Sequence, residues 1–268
     1  MDEVQKAVIV LLRKEANLSG DDILRIVRQC LGWEVSRSTL YRYLKQMGLT
    51  GKKGVSRKWQ EFEEVKEPGF VHIDVYYLPR IGGKRSYLYV AIDRATRCAW
   101  VMVSDKKDSY ASAKFIKQCV DAFPFKIHTV LTDNGKEFTD AYSRGRRRPS
   151  GLHPFDVACK QLGIKHKLTK PYKPQTNGLV ERLIGKLDLY VVKQYKATCV
   201  NDLFNRIVRF LVCYHYSYHS TLQSSPIEKL THLLNNKDPA EKFIGKLKKL
   251  CNYKNGDYYV NNLSKHDT

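Results

Sequence analysis

The chain has 268 residues, 43% of them hydrophobic, with 47 Lys and Arg against 27 Asp and Glu for a formal charge of +20. That length holds one core domain and one or two small appendages, while the longest apolar runs, such as Ala7–Leu12, are far too short to span a bilayer as a helix. The positive excess favours a polyanion, because Lys and Arg neutralise phosphates and release their counterions.

The seven cysteines are dispersed, none in a Cys-x-x-Cys pair, and the first histidine is His72. Neither a zinc site nor a disulfide framework is expected. Asp2 and Glu3 precede the first apolar run, so no secretion signal is read there and a cytoplasmic protein is expected.

Residues 1–50 read as helical. A first helix from Glu3 to Lys14 puts Val4, Ala7, Val8 and Leu11 on one face. Ser19 is a cap for a second helix carrying Ile23, Leu24, Val27 and Leu31 and closed by Gly32; Ser36 caps a third. In the third, Leu40 and Leu44 face inward while Ser38, Tyr41, Arg42 and Lys45 form an outer stripe. The order fits a helix-turn-helix whose last helix reads DNA; a three-helix subdomain with a solvated charged face is the open alternative. Residues 51–68 have linker composition, and Lys52 and Lys53 suit a segment lying along phosphates or a solvated tether.

From Gly69 the apolar period changes to that of strands. Phe70–Leu78, Ser86–Asp93 and Ala99–Ser104 read as an antiparallel meander. A helix over Ser109–Ala122, a strand over Lys126–Leu131, a helix over Pro154–Leu162, a short strand over Ile164–Leu168 and a helix opening near Asn177-Gly178 follow. This order implies an α/β fold with a mixed five-stranded sheet and helices on both faces, over residues 69–200. Residues 201–268 form an extension, helical to 236, with a basic tail from Asp238 and a possible hairpin turn at Asn255-Gly256.

Three carboxylates stand out: Asp74 inside an apolar strand, Asp133 just after a strand, and Glu181 in the first turns of a helix. Asp133 before Asn-Gly also reads as a turn residue and Glu181 as a helix-dipole partner. Asp74 is harder to dismiss, since a carboxylate among apolar neighbours is costly without compensating charge. Gathered by the fold, the three would be hard oxygen ligands for Mg²⁺ or Mn²⁺. Two ions about 3.5–4 Å apart then serve phosphoryl transfer without a protein nucleophile. His215 and His219 are spaced for one helix face, with packing or a phosphate contact preferred to metal.

The segments Leu131-Thr-Asp-Asn-Gly-Lys-Glu-Phe138 and Thr169-Lys-Pro-Tyr-Lys-Pro-Gln-Thr-Asn-Gly-Leu-Val-Glu-Arg182 resemble the second and third acidic motifs of DDE transposases with a retroviral-integrase-type core. With His72-Ile-Asp74 and Ala91-Ile-Asp93-Arg-Ala-Thr-Arg97, the chain is similar to bacterial transposases of the IS481 group over about residues 68–230. The resemblance implies an RNase H-like fold, with Asp74, Asp133 and Glu181 as catalytic residues and ligands of two Mg²⁺ or Mn²⁺ ions. The implied activity is 3′-end processing and strand transfer of a mobile element. Double-stranded DNA, both element ends and target, is the implied partner, bound by a homodimer or higher assembly at the nucleoid. A non-catalytic DNA-binding relative and a hydrolytic nuclease on the same fold are the alternatives. Asp93 reads as a structural turn.

Two departures from the family pattern bear on DNA. The gap between Asp133 and Glu181 is enlarged by a segment holding Arg144, Arg146, Arg147 and Arg148, expected to grip DNA near the site. Ile184 stands where many relatives have Asn; Lys186, Tyr190 and Lys193 form a stripe that reads either as a replacement for that DNA contact or as an exposed amphipathic face. Asn177 and Arg182 are also expected at the DNA.

Overall fold

The computed structural model describes residues 1–14, 18–29, 31–49, 67–141, 148–169 and 177–252. They fall into two units, one of residues 1–63 with 217–225 and one of residues 64–216 with 226–268.

In the first unit, helices α1 (Glu3–Lys14), α2 (Gly20–Gln29) and α3 (Arg37–Gln46) enclose Ile9, Ile23, Val27, Val35, Leu40 and Leu44. Both expected caps form: Ser19 Oγ accepts from the Asp22 amide at 3.1 Å, and Ser36 Oγ from the Thr39 amide at 3.1 Å. Each satisfies a donor that the first helical turn leaves free. The inward face of α1 differs from the expected one. Ile9 is buried, while Val4 and Leu11 are 67% and 60% exposed. Two apolar stripes overlap on this helix, and packing against α2 and α3 selected the one through Ile9. The Tyr218 amide donates to Asp22 Oδ1 at 2.8 Å, tying residues 217–225 into this unit.

The second unit is built on β1 (Phe70–Tyr77), flanked on one side by antiparallel β2 (Tyr87–Asp93) and β3 (Ala99–Ser104). On its other side lie β4 (Thr129–Thr132) and β5 (Lys165–Leu168), both parallel to it, in the order β3-β2-β1-β4-β5. β2 is buried from Leu88 to Asp93, as expected of a strand covered on both faces. β4 begins later than the expected Lys126, because the amides of His128 and Thr129 both turn to the Gly69 carbonyl, at 3.0 and 3.1 Å. Gly69 permits that approach: its φ is +116°, and a Cβ there would lie 2.3 Å from the Lys126 carbonyl.

Helix α4 (Ser109–Ala122) is capped by Asp108 and buries Phe115, Ile116 and Cys119. Helix α5 (Pro154–Gln161) packs against α4, and α6 (Gly178–Leu187) against β1 and β2 through Val180, Leu183 and Leu187. A π-helical turn, Asp188–Val192, continues α6 into the approach to α7 (Val200–Tyr216). α8 (Pro226–Leu234) and α9 (Asp238–Lys249) complete the unit. The basic tail expected from Asp238 is instead helical over α9, with Ala240, Phe243, Ile244 and Leu247 on its buried face. Phe243 stacks on Phe123 at 5.6 Å and lies 6.1 Å from Trp100. Asn255-Gly256 lies outside the described residues. No helix among the described residues is long and apolar enough to cross a membrane.

Candidate active site

Strand register brings the first two acids together. β1 and β4 pair Phe70 with Thr129, Val71 with Val130 and His72 with Leu131. Carried two residues further, the same register sets Asp74 beside Asp133, the first residue past β4. The Val75 amide donates to Asp74 Oδ1 at 2.7 Å, and the Gly135 amide to Asp133 Oδ1 at 3.0 Å. Glu181 comes from the first turn of α6, whose N-terminal dipole favours a carboxylate, and α6 lies on the strand that carries Asp74.

The electrostatics tie the three together. Burial pushes the Asp74 carboxyl up to about 6, and the negative charges of Asp133, Glu181 and Glu137 add to the shift against one opposing amide bond from Val75. Glu181, nearer solvent, is raised by partial burial and by Asp133. A carboxylate held high first by burial and then by neighbouring carboxylates marks a place that lacks positive charge. Among the described residues no three His, Cys, Asp or Glu side chains already stand close enough to grip an ion. The donors are nevertheless all hard oxygens, and the negative potential on Asp74 is what a divalent cation would relieve, so the residues present fit Mg²⁺ or Mn²⁺.

Sequence reasoning missed the groups that brace these acids. Lys107 Nζ pairs with Glu137 Oε1 at 3.0 Å and donates to the Tyr77 hydroxyl at 2.9 Å. The Glu137 carboxylate lies against Gly135, where an added Cβ would come within 2.7 Å of it and push it from its present place. Asn134 Nδ2 donates to the Thr169 carbonyl at 3.1 Å, fastening the Asp133 loop to the end of β5. His72, two residues before Asp74 on β1, is buried and lowered to about 4 by that burial, with Asn177 the one group opposing the shift. Glu137 lay in plain view inside the Asp-Asn-Gly-Lys-Glu-Phe motif, but only the fold supplies its distant partner.

The other expected residues are dispersed. Ser38, Arg42 and Lys45 are exposed on α3. Tyr41 is half-buried, with its ring against Gly20 and the Arg37 guanidinium 5.4 Å from its centre. Asn177 is 4% exposed. It faces the protein interior and is not placed for the DNA contact expected of it, because its position at the start of α6 turns it toward His72. Arg182, Lys186 and Arg148 are exposed, with Lys186 Nζ 5.7 Å from the centre of the Tyr214 ring. Lys52, Lys53, Arg144, Arg146 and Arg147 lie outside the described residues. Asp93 is the expected turn: fully buried, it accepts from the amides of Gly69, Ala95 and Thr96 and from the Thr96 hydroxyl. His215 is a core residue, its ring bonded to the Ala99 amide at 2.9 Å and the Leu211 carbonyl at 2.6 Å.

Residues 64–174 match the family model described as Integrase core domain, which includes Asp74 and Asp133 and ends before Glu181. The chain is 26% identical over 189 residues to the ORF3 product of Spiroplasma virus SpV1-C74, named for an integrase; the match covers 66% of this chain and 52% of that one. It is 25% identical over 229 residues to the transposase for insertion sequence element IS4351 of Bacteroides fragilis, covering 79% of this chain and 60% of that one. The chain thus spans about half the length of these relatives. Its fold is similar to a chain of the simian T-cell lymphotropic virus intasome solved in complex with PP2A regulatory subunit B56 gamma. That likeness has a TM-score of 0.50 at 16% identity and covers 81% of this chain and 72% of that one. The five-stranded mixed sheet with its flanking helices is therefore the RNase H-like fold of integrase cores.

Proposed function

We propose that this chain is a DDE-type polynucleotidyl transferase, a transposase of the IS481 group that processes the 3′ ends of a mobile element and joins them to target DNA. The observation that carries this reading is the placement of Asp74 beside Asp133 by strand register, both inside the segment that matches the integrase core, with Glu181 beyond that segment on the helix packed over β1. The similarity to a transposase and to a protein named for an integrase supports it.

Asp74, Asp133 and Glu181 would hold two Mg²⁺ or Mn²⁺ ions. When bound, such a pair activates the attacking oxygen and stabilises the leaving one, for water in the first step and a 3′-hydroxyl in the second. The protein's part is to orient. Val75 and Gly135 amides fix one oxygen each of Asp74 and Asp133, and Lys107 neutralises Glu137 so that this fourth carboxylate adds less repulsion.

The α1–α3 unit is read as the helix-turn-helix that recognises element ends through Ser38, Arg42 and Lys45. The +20 charge supports binding of two DNA segments, and the joining of two ends calls for a dimer or higher assembly in the cytoplasm of a bacterial-type cell.

The test is a strand-joining assay with Mg²⁺ on duplexes carrying the inverted repeats that flank the gene. Joined product from the wild type, lost in Asp74→Asn with DNA binding retained, supports the reading. DNA binding without cleavage or joining under varied metal and end sequences would favour a non-catalytic DNA-binding protein, and nicking alone a nuclease.

A further inference from the structure

Asp133 stands one residue beyond the end of β4, where ladder hydrogen bonds stop, and the Thr132 hydroxyl donates to its carbonyl at 2.9 Å. The same hydroxyl oxygen lies 2.9 Å from Nε2 of His166 on β5, and Nδ1 of that ring is 2.5 Å from Oδ1 of Asp156 on α5. Three elements are thus linked in line, from α5 through β5 to β4. The line is shielded from solvent: Thr132 is fully buried, the His166 and Asp156 side chains are 7% and 14% exposed, and Phe155 meets the imidazole edge-on at 4.9 Å.

Counting protons fixes how the line is made. A hydroxyl carries one hydrogen. Once Thr132 gives it to the Asp133 carbonyl, the hydroxyl oxygen can only accept, and the donor within reach is Nε2–H. Asp156, as a carboxylate, offers only lone pairs, so Nδ1 must carry a hydrogen as well. All three contacts therefore coexist only when both ring nitrogens of His166 are protonated. Asp156 Oδ2 has no partner among the described residues, which leaves His166 as the group that balances this shielded carboxylate. A neutral ring protonated at Nδ1 would draw the Thr132 hydrogen to Nε2 and release the Asp133 carbonyl.

We infer that Asp156, His166 and Thr132 are positioning residues for Asp133, holding its peptide in place against repulsion from Asp74 and Glu181. The inference rests on the polynucleotidyl-transferase reading, and none of the three touches DNA or a reacting atom in it. Asp133 needs such a brace because the Asn134-Gly135 turn that follows it has little conformational stiffness of its own.

The test compares Thr132→Val, which keeps the buried shape and loses the hydroxyl, with Thr132→Ser, which restores it, in the full chain. Mn²⁺ affinity is measured without DNA by calorimetry, the joining reaction is resolved into kcat and KM for DNA, and the ring nitrogens of His166 are observed by ¹⁵N NMR. Thr132→Val is expected to weaken Mn²⁺ about tenfold and to lower kcat while KM for DNA stays unchanged, with Thr132→Ser close to wild type. The spectrum is expected to show two protonated ring nitrogens in the wild type and one in Asp156→Asn. If Thr132→Val does not fold, Asp156→Asn carries the comparison, with the same loss of Mn²⁺ affinity expected. A folded Thr132→Val chain that binds Mn²⁺ as the wild type does, or a neutral His166 in the wild type, overturns the inference alone. A wild-type chain that neither binds Mn²⁺ nor acts on DNA overturns the catalytic reading, and the inference with it.

Discussion

Lys107 and Glu137 form an ion pair of 3.0 Å, and the same ammonium lies 4.7 Å from the centre of the Tyr77 ring whose hydroxyl it also reaches. Glu137 is 5% exposed, so its charge is tolerable only with this partner. The pair lies beside the three acids, since Glu137 contributes to the raised carboxyl of Asp74.

Removing the cation should therefore cost stability and worsen the site together. Lys107→Met is expected to lower unfolding free energy by about 2 kcal/mol, because a shielded carboxylate loses its charged donor. Adding Glu137→Gln should return part of that loss, since the remaining group is neutral. Urea unfolding of the two single variants and the double variant measures the coupling.

Asp93 and Asp74 sit in neighbouring strands, and their substitution should separate structure from chemistry. Asp93→Ala strips four hydrogen-bond donors of a buried acceptor and is expected to destabilise the chain by about 3 kcal/mol. Asp74→Asn relieves a carboxylate that burial and like charges oppose, so it should leave stability equal or higher in metal-free buffer. Joining activity per folded molecule should persist in the first and vanish in the second, as measured by the joining assay normalised to folded protein.

Burial holds His72 neutral down to about pH 4, whereas in the unfolded chain it charges near 6.5. The folded state then binds fewer protons across that window. Its contribution is full above pH 6.5 and is lost as pH falls toward 4, by at most about 3 kcal/mol. Asp74 acts in the opposite sense, because its raised carboxyl makes the folded state bind more protons between about 4 and 6. The difference between wild type and His72→Gln at each pH isolates the histidine: the variant should gain relative stability as the solution is acidified. A difference that stays constant from pH 7 to pH 4 would contradict the buried neutral ring.

Elements with strong local signals were legible in the sequence. α4 lies over Ser109–Ala122 as expected because Asp108 caps it and Phe123-Pro124 ends it, and β3 kept its expected limits because turn residues precede it. The mixed five-stranded sheet was legible in the order of strands and helices, but the register that sets Asp74 beside Asp133 comes from the pairing of β1 with β4. The inward face of α1 was not legible, because Val4, Ala7, Val8 and Leu11 satisfy helical spacing as well as the stripe that includes Ile9 does. α9 was hidden by its four lysines, Lys242, Lys246, Lys248 and Lys249, and by Lys237 just before it, which mask the apolar positions between them. The braces around the acids were invisible for another reason: Lys107 meets Glu137, and Asp156 meets His166 and Thr132, only after the chain has crossed the sheet. The burial of Asn177 likewise depends on where α6 lands.

The claim that Asp74, Asp133 and Glu181 act as one cation site is tested most directly by replacing Mg²⁺ with Fe²⁺ and adding ascorbate and peroxide, so that hydroxyl radicals cut the backbone beside the bound metal. Mapping the cuts by mass spectrometry should give three clusters, next to residues 74, 133 and 181, that disappear together in Asp74→Asn. Cuts at one or two of these segments only, or an unchanged pattern in Asp74→Asn, would contradict a single site built from all three.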